Sequence, residues 1–207
     1  MDGGIYIRDR HDGEELRRAI RIATFRVDFS QPATLSTASA ESFEADWSDW
    51  LDGRWNPFLA GHLVEAYLKS RLLELDEVMR LDHALNEFLD PEEAQRSLAA
   101  GRMLSDAAQG VRHHRALERF CEIRDREGES GHAATVFGIE AGAFSLPLFS
   151  TLVSYLFFEW KSARRALPGG TLELSEARFT LDAMGALGGI RELLKEHLGN
   201  FLPADCA

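Results

Sequence analysis

Apolar residues recur along most of the chain at three- and four-residue spacing, and the strict alternation of a half-buried strand is almost absent. Glu14 to about Val27 sets Leu16, Ile20 and Phe25 on one side, with Arg17, Arg18 and Arg21 elsewhere. Asp28 to Ala40, rich in Ser, Thr and Ala around Pro32, predicts a loop. Glu41 to Trp55 places Phe43, Trp47, Trp50 and Leu51 at helical spacing. Asn56-Pro57 then predicts a new helix start, since a first-turn proline loses no hydrogen bond. That helix carries Phe58, Leu59, His62, Leu63, Ala66 and Tyr67 on one face. Further helices are predicted from about Leu75 to Leu89, Pro91 to Ala108 and Val111 to Arg126, with a break at Gly128 to Gly131. His132 to Phe144 is small and apolar. Pro147 opens a helix to about Leu167, which Pro168-Gly169-Gly170 stops, and a last helix runs from Ser175 to about His197. The pattern predicts one all-α domain over 1–207, a bundle of about eight or nine helices, with an irregular segment at about 28–40.

Composition narrows the function classes. The 207 residues carry 23 basic and 34 acidic side chains, a net charge of −11 that repels a phosphate backbone and disfavours nucleic-acid binding. Cys121 and Cys206 stand 85 positions apart with no C-x-x-C pattern, which suits two unrelated thiols in a reducing compartment. The first residues show no basic region followed by an apolar run, so a cytoplasmic location is expected. Ala141 to Phe158 is long and uncharged enough to prompt a membrane reading. Pro147 splits it, Ser145, Ser150, Thr151 and Ser154 dilute it, and Glu140 and Glu159 flank it, which favours burial inside a bundle.

Candidate chemistry is thin. His113 and His114 with Glu118 share a helical face that offers two metal ligands, but Arg112, Arg115 and Arg119 surround them, so a solvated charged face is the preferred reading. Asp82, His83 and Glu87 are read as an exposed face between Leu81, Leu85 and Phe88. His62 is read as a core histidine. The one Glu-x-x-His, Glu129 to His132, falls in a predicted break, against a carboxylate-bridged di-metal bundle. No nucleophile elbow, phosphate loop or dinucleotide fingerprint occurs, so no catalytic set, cofactor or bound metal is expected. Glycine spacing is more telling. Gly138 and Gly142, and Gly185 and Gly189, lie one turn apart, and each glycine costs a helix about 1 kcal/mol relative to alanine unless a neighbouring helix approaches closely.

From about Ser42 to Gly170 the order of motifs resembles the urease accessory protein UreF family. Phe43 to Leu51, then Asn56-Pro57-Phe58-Leu59 and Ala66-Tyr67, is similar to the family's early helices. Ser97-Leu98-Ala99-Ala100-Gly101-Arg102 resembles a Ser-x-x-Met-Gly-Arg signature. His132-Ala133-Ala134-Thr135-Val136-Phe137-Gly138, Leu146-Pro147-Leu148 and Tyr155-Leu156 are similar to the run in which His, Phe-Gly and Tyr-Leu recur. Arg165-Ala166-Leu167-Pro168-Gly169 resembles a basic residue before the family's Pro-Leu-Gly-Gln turn. Gln31 to Leu35 stands where the family carries Pro-Ile-Gly-Gly-Phe.

The resemblance implies a non-enzymatic, helical metallochaperone scaffold that dimerises. It would recruit a urease accessory GTPase (UreG-like) and a second accessory protein (UreD/UreH-like), and the assembly would deliver nickel to apo-urease. It places a partner interface at Gly101, Arg102, His132, Gly138, Tyr155, Arg165, Pro168 and Gly169. Gly101 and Gly138 would allow tight crossing, His132 and Tyr155 would lie at or beneath the interface, and Arg165 would present a cation to the GTPase. Two rivals remain. Leu81 to Phe88 is similar to the Asp-His-x-x-x-Glu signature of chaperones that mature exported molybdoenzymes. A helical metal-dependent enzyme would use His113, His114 and Glu118, or His62.

Overall fold

A computed structural model describes residues 32–109, 115–127 and 131–167, together with 186, 189, 190, 192 and 193. The order is α1 (Phe43–Trp50), a π-helical segment (Leu51–Leu59), α2 (Ala60–Arg71), α3 (Leu75–Phe88), α4 (Pro91–Gln109), α5 (Arg115–Glu127), α6 (Ala133–Ala143) and α7 (Leu148–Ala166). The first three are continuous, so the described residues form six separate rods, with no strand among them. The predicted helices at 14–27 and 175–197 lie outside the described residues, apart from a few positions of the second. Of these, Ala186 and Ile190 are buried, and Gly189 faces Asn56.

The predicted helix start at Asn56-Pro57 is corrected: the chain runs through it without a break. In an α-helix the Pro57 ring would strike the carbonyl four residues back. The wider π turn relieves that clash, and the Ala60 N–H closes it onto the Trp55 carbonyl, five residues earlier. Trp50, Leu51, Trp55 and Leu59 therefore all turn inward.

Helix α4 starts on a reciprocal cap. Asp90 Oδ1 accepts the N–H groups of Glu93 (2.8 Å) and Glu92 (3.0 Å), and Glu93 Oε2 accepts the Asp90 N–H (3.1 Å). The Glu93 and Glu92 amides hold the Asp90 carboxyl below the usual carboxylate range. Arg54, reaching over from the π segment, donates to both Glu93 oxygens at 3.0 Å.

Helix α6 is the axis. Apolar or small on nearly every side, it packs against α2, α3, α4, α5 and α7. The apolar stretch 141–158 is divided between the end of α6, a turn closed by Ser145, and the first part of α7. None of the described helices is long and apolar enough to cross a membrane.

Candidate functional site

Three buried contacts organise the region that carries the singled-out residues. The first is a socket for the start of α6. Asp82 shares the inward face of α3 with Val78, Met79 and Leu85. Its Oδ1 accepts the His132 N–H at 2.8 Å. Ser97 Oγ on α4 accepts the Ala133 N–H at 3.2 Å. A carboxylate thus sits where the helix dipole and unpaired amides favour negative charge. Gly101, one turn after Ser97, leaves room for the segment that leads into α6: a Cβ there would lie 2.0 Å from the Gly131 carbonyl oxygen. The His132 ring reaches Asn86 Oδ1 through Nε2 at 3.1 Å, and that acceptor puts the imidazole proton on Nε2. Burial, reinforced by His83, pushes the His132 pKa down to about 4.

The second contact is the α2–α6 crossing. A Cβ on Gly138 would lie 3.0 Å from Ala66 Cβ and 3.1 Å from the Leu63 carbonyl. One on Gly142 would lie 2.6 Å from Ser70 Oγ and 2.9 Å from the Tyr67 carbonyl. Ala66 and Ser70 thus face Gly138 and Gly142, small residue against small residue, and the close neighbour belongs to the same chain. His62 lies in this seam, stacked on Phe58, with Nε2 2.8 Å from Thr135 Oγ1. Burial, then the nearby His132, pushes its pKa down to about 3. Both imidazoles are neutral at physiological pH.

The third contact centres on Glu159, fully buried in α7. Its oxygens accept the Thr34 N–H (3.1 Å to each), the Thr34 hydroxyl (2.9 Å), the Leu35 N–H (3.2 Å) and the Tyr155 hydroxyl (3.2 Å). Trp50 Nε1 donates to Thr34 Oγ1 at 3.1 Å. Burial raises the Glu159 pKa against these hydrogen bonds, and burial with the Glu159 charge raises that of Tyr155. The Tyr155 ring continues a stack of Trp47, Trp50 and Trp55, with successive centroids 5.3, 6.1 and 6.0 Å apart.

Of the residues singled out in the sequence, Gly101, His132, Gly138 and Tyr155 are therefore buried in contacts within the chain, while Arg102 and Arg165 are exposed. Pro168, Gly169, His113, His114 and Cys206 lie outside the described residues. The exposed reading of Asp82 is corrected. It is 2% accessible because it replaces an apolar residue on the inner face of α3, and only His83 and Glu87 of that trio face solvent. Glu159 and Thr34 were missed. A charge set between Phe158 and Trp160 at the end of a long apolar run was the available signal for Glu159; nothing local marks Thr34. Among the described residues no three His, Cys, Asp or Glu side chains are placed to hold a metal ion.

The UreF family model matches residues 37–163, well over half of the chain, and spans α1 through most of α7. The chain belongs to the UreF family. No curated protein and no solved structure matches it. The match includes every residue of the α6 socket and of the α2–α6 crossing; Arg165, Pro168 and Gly169 fall just beyond it. The UreF family is one of urease accessory proteins rather than of catalysts.

Proposed function

We propose that this UreF-family chain works by holding other proteins and catalyses no reaction itself. In this reading it is a cytoplasmic scaffold for urease maturation that forms a homodimer. It recruits the urease accessory GTPase and a second accessory protein, and the assembly carries nickel as cargo to apo-urease. The family match over 37–163 carries the proposal. The chemistry of the interior supports it, because the buried Asp82 and Glu159 carboxylates receive backbone and hydroxyl donors that fix helices and the 33–35 segment in place. The buried socket residues would act on partners indirectly, by fixing the helices that present Arg102 and Arg165; the Pro168-Gly169 turn would set the approach to Arg165. The molybdoenzyme-chaperone alternative drew on Asp82, which is used inside the fold to hold His132.

Size-exclusion chromatography of the purified chain with the GTPase and the second accessory protein tests the proposal. Co-elution as one complex is expected, and Arg165→Glu should weaken GTPase retention. Separate elution of all three proteins would refute it.

A further inference from the structure

The turn between α2 and α3 breaks two local rules at once. Leu73 closes α2 in the left-handed region (φ 59°). There the Glu74 N–H bonds the Lys69 carbonyl at 3.0 Å and the Leu73 N–H bonds the Ser70 carbonyl at 3.1 Å, a closure that ordinarily takes glycine. Leu72 and Leu73 are also 66% and 44% exposed, two of the three large apolar side chains that face solvent among the described residues. A leucine in a left-handed backbone position, with 44% of its surface in water, meets neither the backbone preference nor the burial that leucine normally satisfies. Such a break in local consistency marks a functional position.

The surroundings say what would cover it. Gly138 faces Leu63 and Ala66 while Gly142 faces Tyr67 and Ser70, so α2 and α6 run parallel. Both end at this pole, α6 on Ser145 (φ 52°), and their C-terminal dipoles add negative potential. Beside the turn an open cleft of about 870 Å³ lies between residues 69–77 and α5, with Leu73, Leu75 and Ile123 among its lining. Its rim holds the carboxylates of Glu74, Asp76, Glu77, Glu118 and Glu122. Against these five stand four cations: Lys69 paired with Glu74 (2.8 Å), Arg119 with Glu122 (3.0 Å), Arg80 with Glu77, and Arg115.

We propose that the cleft and the Leu72–Leu73 turn form a docking surface for a cationic amphipathic helix of another protein. Leucine-like side chains of the helix enter beside Leu73 and Ile123, and its Lys or Arg heads meet the rim carboxylates. The inference stands on this surface alone and goes beyond the maturation role.

The test titrates the full chain, by calorimetry, with a synthetic Leu/Lys amphipathic helix of about four turns and with its Leu/Glu counterpart. Amide exchange then locates the contact. Binding of the Leu/Lys peptide, with protection confined to 69–77 and 115–123, is expected. Leu73→Gly should weaken binding by on the order of tenfold while the thermal midpoint holds or rises, because glycine relieves the left-handed strain. Glu118→Lys with Glu122→Lys should weaken it similarly, and decides the matter if Leu73→Gly lowers the midpoint. Equal binding by the variants, protection elsewhere, equal affinity for the Leu/Glu peptide or no binding at all would overturn the proposal. Complex formation on the sizing column is read separately and is unaffected by that failure.

Discussion

Gly101→Ala sets two physical effects against each other and predicts which wins. In an ordinary helix the change stabilises by about 1 kcal/mol, because alanine loses less backbone freedom. At position 101 the added Cβ falls 2.0 Å from the Gly131 oxygen, 2.9 Å from the His132 carbonyl carbon and 3.0 Å from the Ala133 nitrogen. All three are backbone atoms, so no rotamer change relieves the contact. The 131–133 segment must move by about 1 Å to restore a normal separation. Overpacking of this kind costs about 1–3 kcal/mol. The displaced segment also carries the His132 and Ala133 amides held by Asp82 and Ser97. Loosening the buried Asp82 bond adds about 1–3 kcal/mol. After the helix-propensity gain is subtracted, the net loss is about 1–5 kcal/mol, a fall of about 2–20 °C in Tm for a domain of this size. Gly53→Ala is the control: nothing lies within 4 Å of its Cβ position, so it should be neutral or stabilising. Urea denaturation followed by circular dichroism measures both. A Gly101→Ala protein as stable as wild type would refute the socket.

The His62 and His132 pKa values, lowered to about 3 and about 4, tie stability to pH. Each contribution is present above the ordinary histidine value and is lost as pH falls towards the folded one, by about 2 kcal/mol per residue between pH 7 and 5. NMR titration should show both rings neutral at pH 5; midpoints near 6.5 would contradict their burial. Glu159 has the opposite sign: its raised pKa means that its contribution is full below the ordinary carboxyl value and is lost as pH rises. Because four donor groups oppose that rise, the two histidines should prevail, and thermal melts should show net destabilisation from pH 7 to 5. Glu159→Gln turns an amide NH2 towards groups that themselves donate, and should cost about 1–3 kcal/mol. It should also speed exchange of the Thr34 and Leu35 amides; unchanged exchange there would show that the carboxylate does not hold the segment. Gly138→Leu drives a side chain against Ala66 and the Leu63 carbonyl, and should destabilise by about 3 kcal/mol in urea unfolding.

The helices were legible because each carries its own local record. The inward positions of α3 repeat at helical spacing as Leu75, Val78, Met79 and Leu85, and the start of α4 is written in Asp90-Pro91-Glu92-Glu93. Asp82 shows where such reading fails. Its place in the repeat put it inside, yet its charge argued for solvent. The deciding fact, the His132 amide at the head of α6, lies 50 positions away. Proline misled in the same way at Pro57, because whether it starts a helix or widens one depends on what holds Trp50 and Trp55 inward. Thr34 had no local signal at all, since its partner Glu159 is 125 residues distant.

Two of the segments that carry the family resemblance, Ser97 to Arg102 and His132 to Gly138, are two halves of one joint. Ser97 receives the amide of Ala133, and Gly101 makes space for the segment that delivers it. Their spacing in sequence has no chemical meaning; their meeting at the head of α6 does. In this chain a glycine, a serine and an aspartate let a nearly apolar helix enter the middle of the bundle with its first amides satisfied. It follows that a change in these residues should disturb every surface the bundle presents, because each of the neighbouring helices leans on α6. The proposed docking turn, by contrast, lies on the outside, where Leu72 and Leu73 remain exposed.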